Sequence, residues 1–134
     1  MQSVDDLIIM LHLYSSYCCM MTRRLISAEN DLKTAEDNFK NRKKINQKLR
    51  PDLPVVPSSI LLQRIYLQSG QIKACYGQDL EACLMFTKML KIGKIYDPTA
   101  RMEALTQLDS ILSDPKYNSL RTNPEIKNIK LMLE

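Results

Sequence analysis

The chain has 134 residues, 45% of them apolar and 25% charged, with a formal net charge of +4. That length accommodates one domain with its own core, and the apolar content excludes a disordered chain. The mild charge, the absence of Trp and the presence of only two Phe argue against a dedicated nucleic-acid binder, which carries a strongly basic face and stacking aromatics.

Glycine occurs three times, β-branched residues rarely alternate, and Leu, Met, Lys, Glu, Gln and Ala abound. This balance predicts an all-α fold of about six helices. The first helix spans Val4 to about Met21, with Ser3 as a candidate N-cap and Asp6 in an acidic first turn. Its run LIIMLHLYSSYCCMM is too short to span a bilayer, which takes roughly 20 apolar residues. Asp5 and Asp6 precede it, where a signal peptide would carry positive charge. Membrane insertion is therefore not expected. A helix apolar on so many sides is read as covered by neighbouring helices on most of them.

A second helix runs from about Leu25 to Leu49, with Ala28, Leu32, Ala35 and Phe39 on one face. A turn around Thr22–Ile26 is preferred over one unbroken helix, which could not bury both apolar halves in a small domain. Residues 50–57 follow as a connector in which Pro51, Pro54 and Pro57 forbid a helix. The third helix begins at Ser58 or Ser59 and reaches about Cys75, and Gly77 supplies a turn. Asp79 helps to start a fourth, which ends near Gly93. Asp97 and Pro98 open a fifth helix over 97–113, with Met102, Leu105, Leu108, Ile111 and Leu112 on its apolar face. A sixth, over 123–133, repeats the Asn-Pro start. The organisation expected is one domain over 1–134, with hairpins at 4–49 and 58–93 and two C-terminal helices.

Ala28, Leu32 and Ala35 share their spacing with Ala82, Phe86 and Met89, which lie 54 residues later. This weak internal similarity suggests two related helical hairpins. Over residues 66–89 the pattern resembles a tetratricopeptide repeat. Tyr66 stands at the first large position, Gly70 where the two helices approach closely, Gly77 at the turn, and Ala82, Phe86 and Met89 on the second helix. Ser69 and Lys73 depart from the family pattern, and Asp109 falls where a following repeat would place a small residue. The resemblance implies antiparallel hairpins stacked into a short array over roughly residues 4–112. The segment LKIGKIYDPTARMEALTQL also looks like helical-repeat regions that accompany von Willebrand factor A domains in some protist proteins. That domain's Asp-x-Ser-x-Ser metal pattern is absent, so no metal residue is carried over.

Candidate chemistry is sparse. Cys18, Cys19, Cys75 and Cys83 lack the Cys-x-x-Cys pairs of a zinc site, and one histidine, His12, cannot serve several ligand or base roles. The thiols are read as small apolar residues of helices in a reducing, cytoplasmic setting. Three isolated glycines form no phosphate-binding loop, and pairs such as Glu36–Asp37 read as solvated surface. No catalytic residue, cofactor or metal is expected.

The strongest electrostatic feature is a basic strip of Lys40, Arg42, Lys43, Lys44, Lys48 and Arg50. It closes a helix whose first half is acidic, an arrangement that complements the helix dipole. Stacked hairpins need neighbours to bury their apolar faces, and neither terminal helix is polar enough to cap an array. The expected function is a non-enzymatic protein-interaction or scaffold module within a larger assembly, with a protein partner or a second copy of the chain. Tyr66, Lys73 and Lys88 are the first candidate contacts. The alternative is an electrostatic binder of nucleic acid or an acidic surface through Lys40–Arg50.

Overall fold

A computed structural model describes residues 4–41, 58–92, 97–117, 122–124 and 126–128. Among these are five α-helices, a short 3-10 helix and no strand, so the fold is all-α as the composition requires. The helices are α1 (Val4–Met21), α2 (Leu25–Asn41), α3 (Ser58–Cys75), α4 (Asp79–Leu90) and α5 (Pro98–Leu112). Pro115–Tyr117 forms the 3-10 helix after α5. Pro124 and residues 126–128 are helical, and Ile126 is buried in the core, in line with the start expected for a sixth helix. The Pro-rich connector, Ser3 and Gly93 lie outside the described residues.

The break between α1 and α2 is real and follows a specific backbone rule. Arg23 adopts φ +65°, the Arg24 amide donates to Cys19 O at 2.8 Å, and the Arg23 amide donates to Met20 O at 3.1 Å. This is a Schellman motif built without glycine. α3 ends the same way: Gly77 has φ +76°, Gln78 N donates to Lys73 O at 2.9 Å, and Gly77 N donates to Ala74 O at 3.0 Å. Arg23 and Gly77 stand 54 residues apart. The same offset separates both ends of α1 from those of α3 and the start of α2 from that of α4.

α1 pairs with α2 and α3 with α4 as antiparallel hairpins, and the hairpins stack through α1–α3 and α2–α3 contacts. α5 lies against both α4 and α3. α3 is the shared element. Its Leu61, Ile65 and Ile72 join the core of the first hairpin, with Ile9, Leu13, Ala28, Leu32 and Ala35. Its Leu67 joins the second core, with Ala82, Phe86, Met89, Ala104 and Leu108.

Three expectations change. α5 buries Ala100, Ala104, Leu108 and Leu112, while Met102 is 65% exposed and Asp109 is exposed. Leu105 and Ile111 pack against the same core, so of the five residues expected on this face only Met102 falls outside, and the small Ala100 and Ala104 let the face extend and seat closely on its neighbours. Among the described residues α1 is covered on the side facing α2 and α3, and Leu7, Leu11, Tyr14 and Met21 are exposed. Cys19 and Cys83 are core residues, but Cys18 and Cys75 are exposed. Adjacent helical positions point about 100° apart, and only one of the pair Cys18–Cys19 can face a single neighbouring layer.

Candidate functional site

A groove of about 420 Å³ opens along one side of the stack, lined by the first helix of each hairpin and by α5. Met10, Leu13, Tyr14 and Tyr17 of α1 form one wall. Arg64, Leu67, Gln68 and Gln71 of α3 form the floor, with Ile60 a turn earlier. These two sets of four are related, member by member, by the same 54-residue offset. α5 contributes its cap residue Asp97 and Glu103. Tyr14 is 70% exposed, so the α1 wall is an accessible apolar and aromatic surface.

Polar side chains of α3 fix the groove by tying its neighbours to it. Gln68 Nε2 donates to Ser16 Oγ at 3.2 Å, and Ser16 Oγ donates to Ala28 O at 2.7 Å, so one chain of bonds links α3, α1 and α2. Toward α5, Gln71 Nε2 donates to Glu103 Oε2 at 3.4 Å and the Asp97 amide donates to Gln63 Oε1 at 2.9 Å. Gln63, Gln68 and Gln71 are all buried, and a buried amide is tolerated only when such partners exist.

Arg64 Nε donates to Asp97 Oδ2 at 2.8 Å, and its Nη2 donates to the same oxygen. The other oxygen, Oδ1, accepts from the Thr99 amide at 3.0 Å and the Ala100 amide at 3.3 Å, capping α5. Burial opposes ionisation of Asp97, but the Ala100 amide, Arg64 and the Thr99 amide together outweigh it and hold the carboxyl below its ordinary value. Arg64 and Asp97 thus neutralise each other. Glu103 receives an amide from Gln71, and among the described residues no ion pair is formed with it. The groove therefore offers an apolar wall and a carboxylate that, among the described residues, forms no ion pair.

A second polar cluster sits between α1 and α2. Asp31 Oδ2 accepts from Ser15 Oγ at 2.7 Å and from Cys19 Sγ at 3.8 Å, and Asp31 Oδ1 lies 3.4 Å from His12 Nδ1. The carboxylate stands between hydroxyl and imidazole, so the hydroxyl–imidazole–carboxylate order of a catalytic triad is not built. Among the described residues no group of three or more His, Cys, Asp and Glu side chains is placed to hold a metal ion. Burial, with Asp79 adding to it, raises the Cys83 thiol to about 11, far from a reactive nucleophile at neutral pH.

The sequence-derived contact candidates are dispersed. Tyr66 is partly buried against the α4–α5 core, and Lys88 is exposed on α4. Lys40 and Lys73 both act on Glu36 of α2, whose carboxyl is raised chiefly by burial and held back by these two lysines. None of these four residues lines the groove. Arg42, Lys43, Lys44, Lys48 and Arg50 lie outside the described residues. Sequence reasoning missed the groove residues, although Arg64, Gln68 and Gln71 recur at helical spacing. No helix among the described residues is long and apolar enough to cross a membrane. Comparison with family models, curated proteins and solved structures returns no match for this chain.

Proposed function

We propose that this chain is a non-enzymatic protein-interaction module, a short tetratricopeptide-like array whose groove receives an extended segment of a partner protein. The observation that carries the reading is the shared register of the groove. Met10, Leu13, Tyr14 and Tyr17 occupy the positions that Arg64, Leu67, Gln68 and Gln71 occupy one hairpin later. Stacked hairpins generate a continuous surface in this way, with equivalent positions of successive first helices facing one side.

The chemistry of the surface selects its occupant. Tyr14, Tyr17 and Met10 favour an apolar or aromatic side chain, and aromatic faces beside a carboxylate favour a cation. A segment pairing an apolar residue with a nearby Lys or Arg, reaching Glu103, fits both features. The test is selection from a displayed library of random peptides on the immobilised chain. Enrichment of apolar–basic pairs, lost on Glu103→Gln, supports the reading. Enrichment of acidic peptides, or none at all, refutes it.

A further inference from the structure

The groove runs along three helices that point the same way, and its chemistry is graded along them. In the first half of α3, Arg64 donates to Asp97 Oδ2 and Gln63 Oε1 accepts from the Asp97 amide. Two turns on, Gln71 donates to Glu103. Asp97 precedes Glu103 as Arg64 precedes Gln71, so α5 is parallel to α3. Stacked antiparallel hairpins make α1 parallel to α3 as well. Gln68 Nε2, 3.2 Å from Ser16 Oγ and 4.0 Å from Met20 Sδ, sets the level of α1. Tyr17 therefore stands beside Gln68, Leu13 and Tyr14 about a turn earlier beside Arg64, and Met10 beside Ile60.

The apolar lining thus centres on the level of Arg64, whose charge Asp97 cancels, and Glu103 lies beyond it at one end. At 1.5 Å per residue, the rise from Arg64 to Gln71 puts about 10 Å between the two.

This separation selects a backbone conformation. A β-strand ligand presents same-face side chains two or four residues apart, at about 7 or 13 Å. It also draws its affinity from main-chain hydrogen bonds to a sheet edge, and among the described residues there is no strand. In a polyproline II helix, side chains three residues apart share a face and stand about 9 Å apart. Its backbone needs no hydrogen-bonding partner, which suits a floor whose amides Gln68 and Gln71 are committed to Ser16 and Glu103. The exposed rings of Tyr14 and Tyr17 are the kind of surface on which such segments dock.

We infer that the groove takes its ligand as a polyproline II segment, with an apolar side chain against Tyr14 and a Lys or Arg three residues away on Glu103. This rests on the groove being the binding site and adds the conformation and spacing of what fills it.

The test is fluorescence anisotropy of the full chain with labelled, end-blocked peptides. Each carries one Leu and one Arg, in either order, two, three, four or seven residues apart in a serine host. The three-residue spacing should bind at least about fivefold more tightly than the others. Prolines at the two intervening positions should tighten it about three- to tenfold more, by holding the bound conformation in advance, and glycines should weaken it. Glu103→Gln should abolish the preference for spacing. An optimum at two or four that proline destroys assigns a β-strand and overturns the inference. An optimum at seven, with helical circular dichroism rising on binding, assigns a helix and overturns it too. Peptides that depend on Tyr17 and Glu103 but not on spacing overturn the inference and leave the groove as the site. Peptides that ignore both residues, or fail to bind at all, remove the groove reading with it.

Discussion

Gly70 faces the ring of Phe86 so closely that a Cβ at position 70 would stand 2.5 Å from Cε1 and 2.8 Å from Cδ1. Phe86 is fully buried, so its ring has no solvent to retreat into. The first hairpin holds Ser16 and Leu32 at the equivalent positions, a larger first residue with a smaller second one. Ser16 is itself fully buried and makes two hydrogen bonds.

This relationship gives a double-mutant cycle. Gly70→Ser should destabilise the chain by about 1–3 kcal/mol through overpacking, and Gly70→Leu by more. Phe86→Leu alone leaves a void and also costs stability. The double variant Gly70→Ser, Phe86→Leu should lose less than the sum of the two, because it restores the combination found in the first hairpin. Strict additivity in urea unfolding would mean that the two hairpins are not packed by the same rule.

The two Schellman turns should respond oppositely to substitution. Arg23→Gly relieves a left-handed conformation that costs an L-residue roughly 1–2 kcal/mol. After glycine's greater unfolded-state entropy is subtracted, it should stabilise by about 0.5–1 kcal/mol. Gly77→Ala meets no atom within 4 Å but must hold φ +76°, so it should cost about 1 kcal/mol from backbone strain alone. Thermal unfolding of both variants checks the pair of signs.

Much of the fold was legible because its signals are local. Asp97-Pro98 fixes the start of α5, with Asp97 capping as its residue type implies. Gly77 ends α3 in the left-handed conformation that favours glycine. Arg23 does the same without any residue signature, so the α1–α2 break had to be inferred from burial rather than read. On α5 the pattern places Leu108 and Leu112 in the core and Leu105 and Ile111 against it, but not Met102, and it passes over Ala100 and Ala104, which are fully buried and carry little hydrophobic weight. The groove was not legible at all. It exists only once three helices separated in sequence lie side by side, and its polar residues look like ordinary helix surface until Gln68 and Gln71 meet Ser16 and Glu103.

Asp97 should make stability depend on pH. Its carboxyl lies below its ordinary value of 3.8 when folded, so its ionised form stabilises the fold. That contribution is complete above the unfolded value and is lost as the pH falls through the folded one. Asp97→Asn keeps an amide-accepting cap but removes the charge held by Arg64. The difference in unfolding free energy between wild type and Asp97→Asn should be largest near neutrality and shrink as the pH drops below about 4. A difference independent of pH would show that the Arg64 pairing contributes nothing through charge.

Thiol reactivity should divide the cysteines in two. Cys18 and Cys75 are exposed, whereas Cys19 and Cys83 are buried and burial pushes the Cys83 thiol up to about 11. In the native chain at mildly alkaline pH, a disulfide reagent should therefore label two thiols rapidly and the other two only on unfolding. Rapid labelling of all four, or of Cys83 before Cys18, would contradict the burial of α4 against α3 and α5.

The proposed binding site is the groove between the first helices. Fluorescence anisotropy with one library-selected peptide tests it most directly, at about 50 and about 300 mM salt. Tyr17→Ala and Glu103→Gln should each weaken binding about tenfold, while Lys43→Glu, Lys44→Glu leaves it within about twofold at either salt concentration. Affinity that collapses at the higher salt, vanishes with the lysine reversal and ignores Tyr17 and Glu103 would contradict the groove and assign binding to the basic strip.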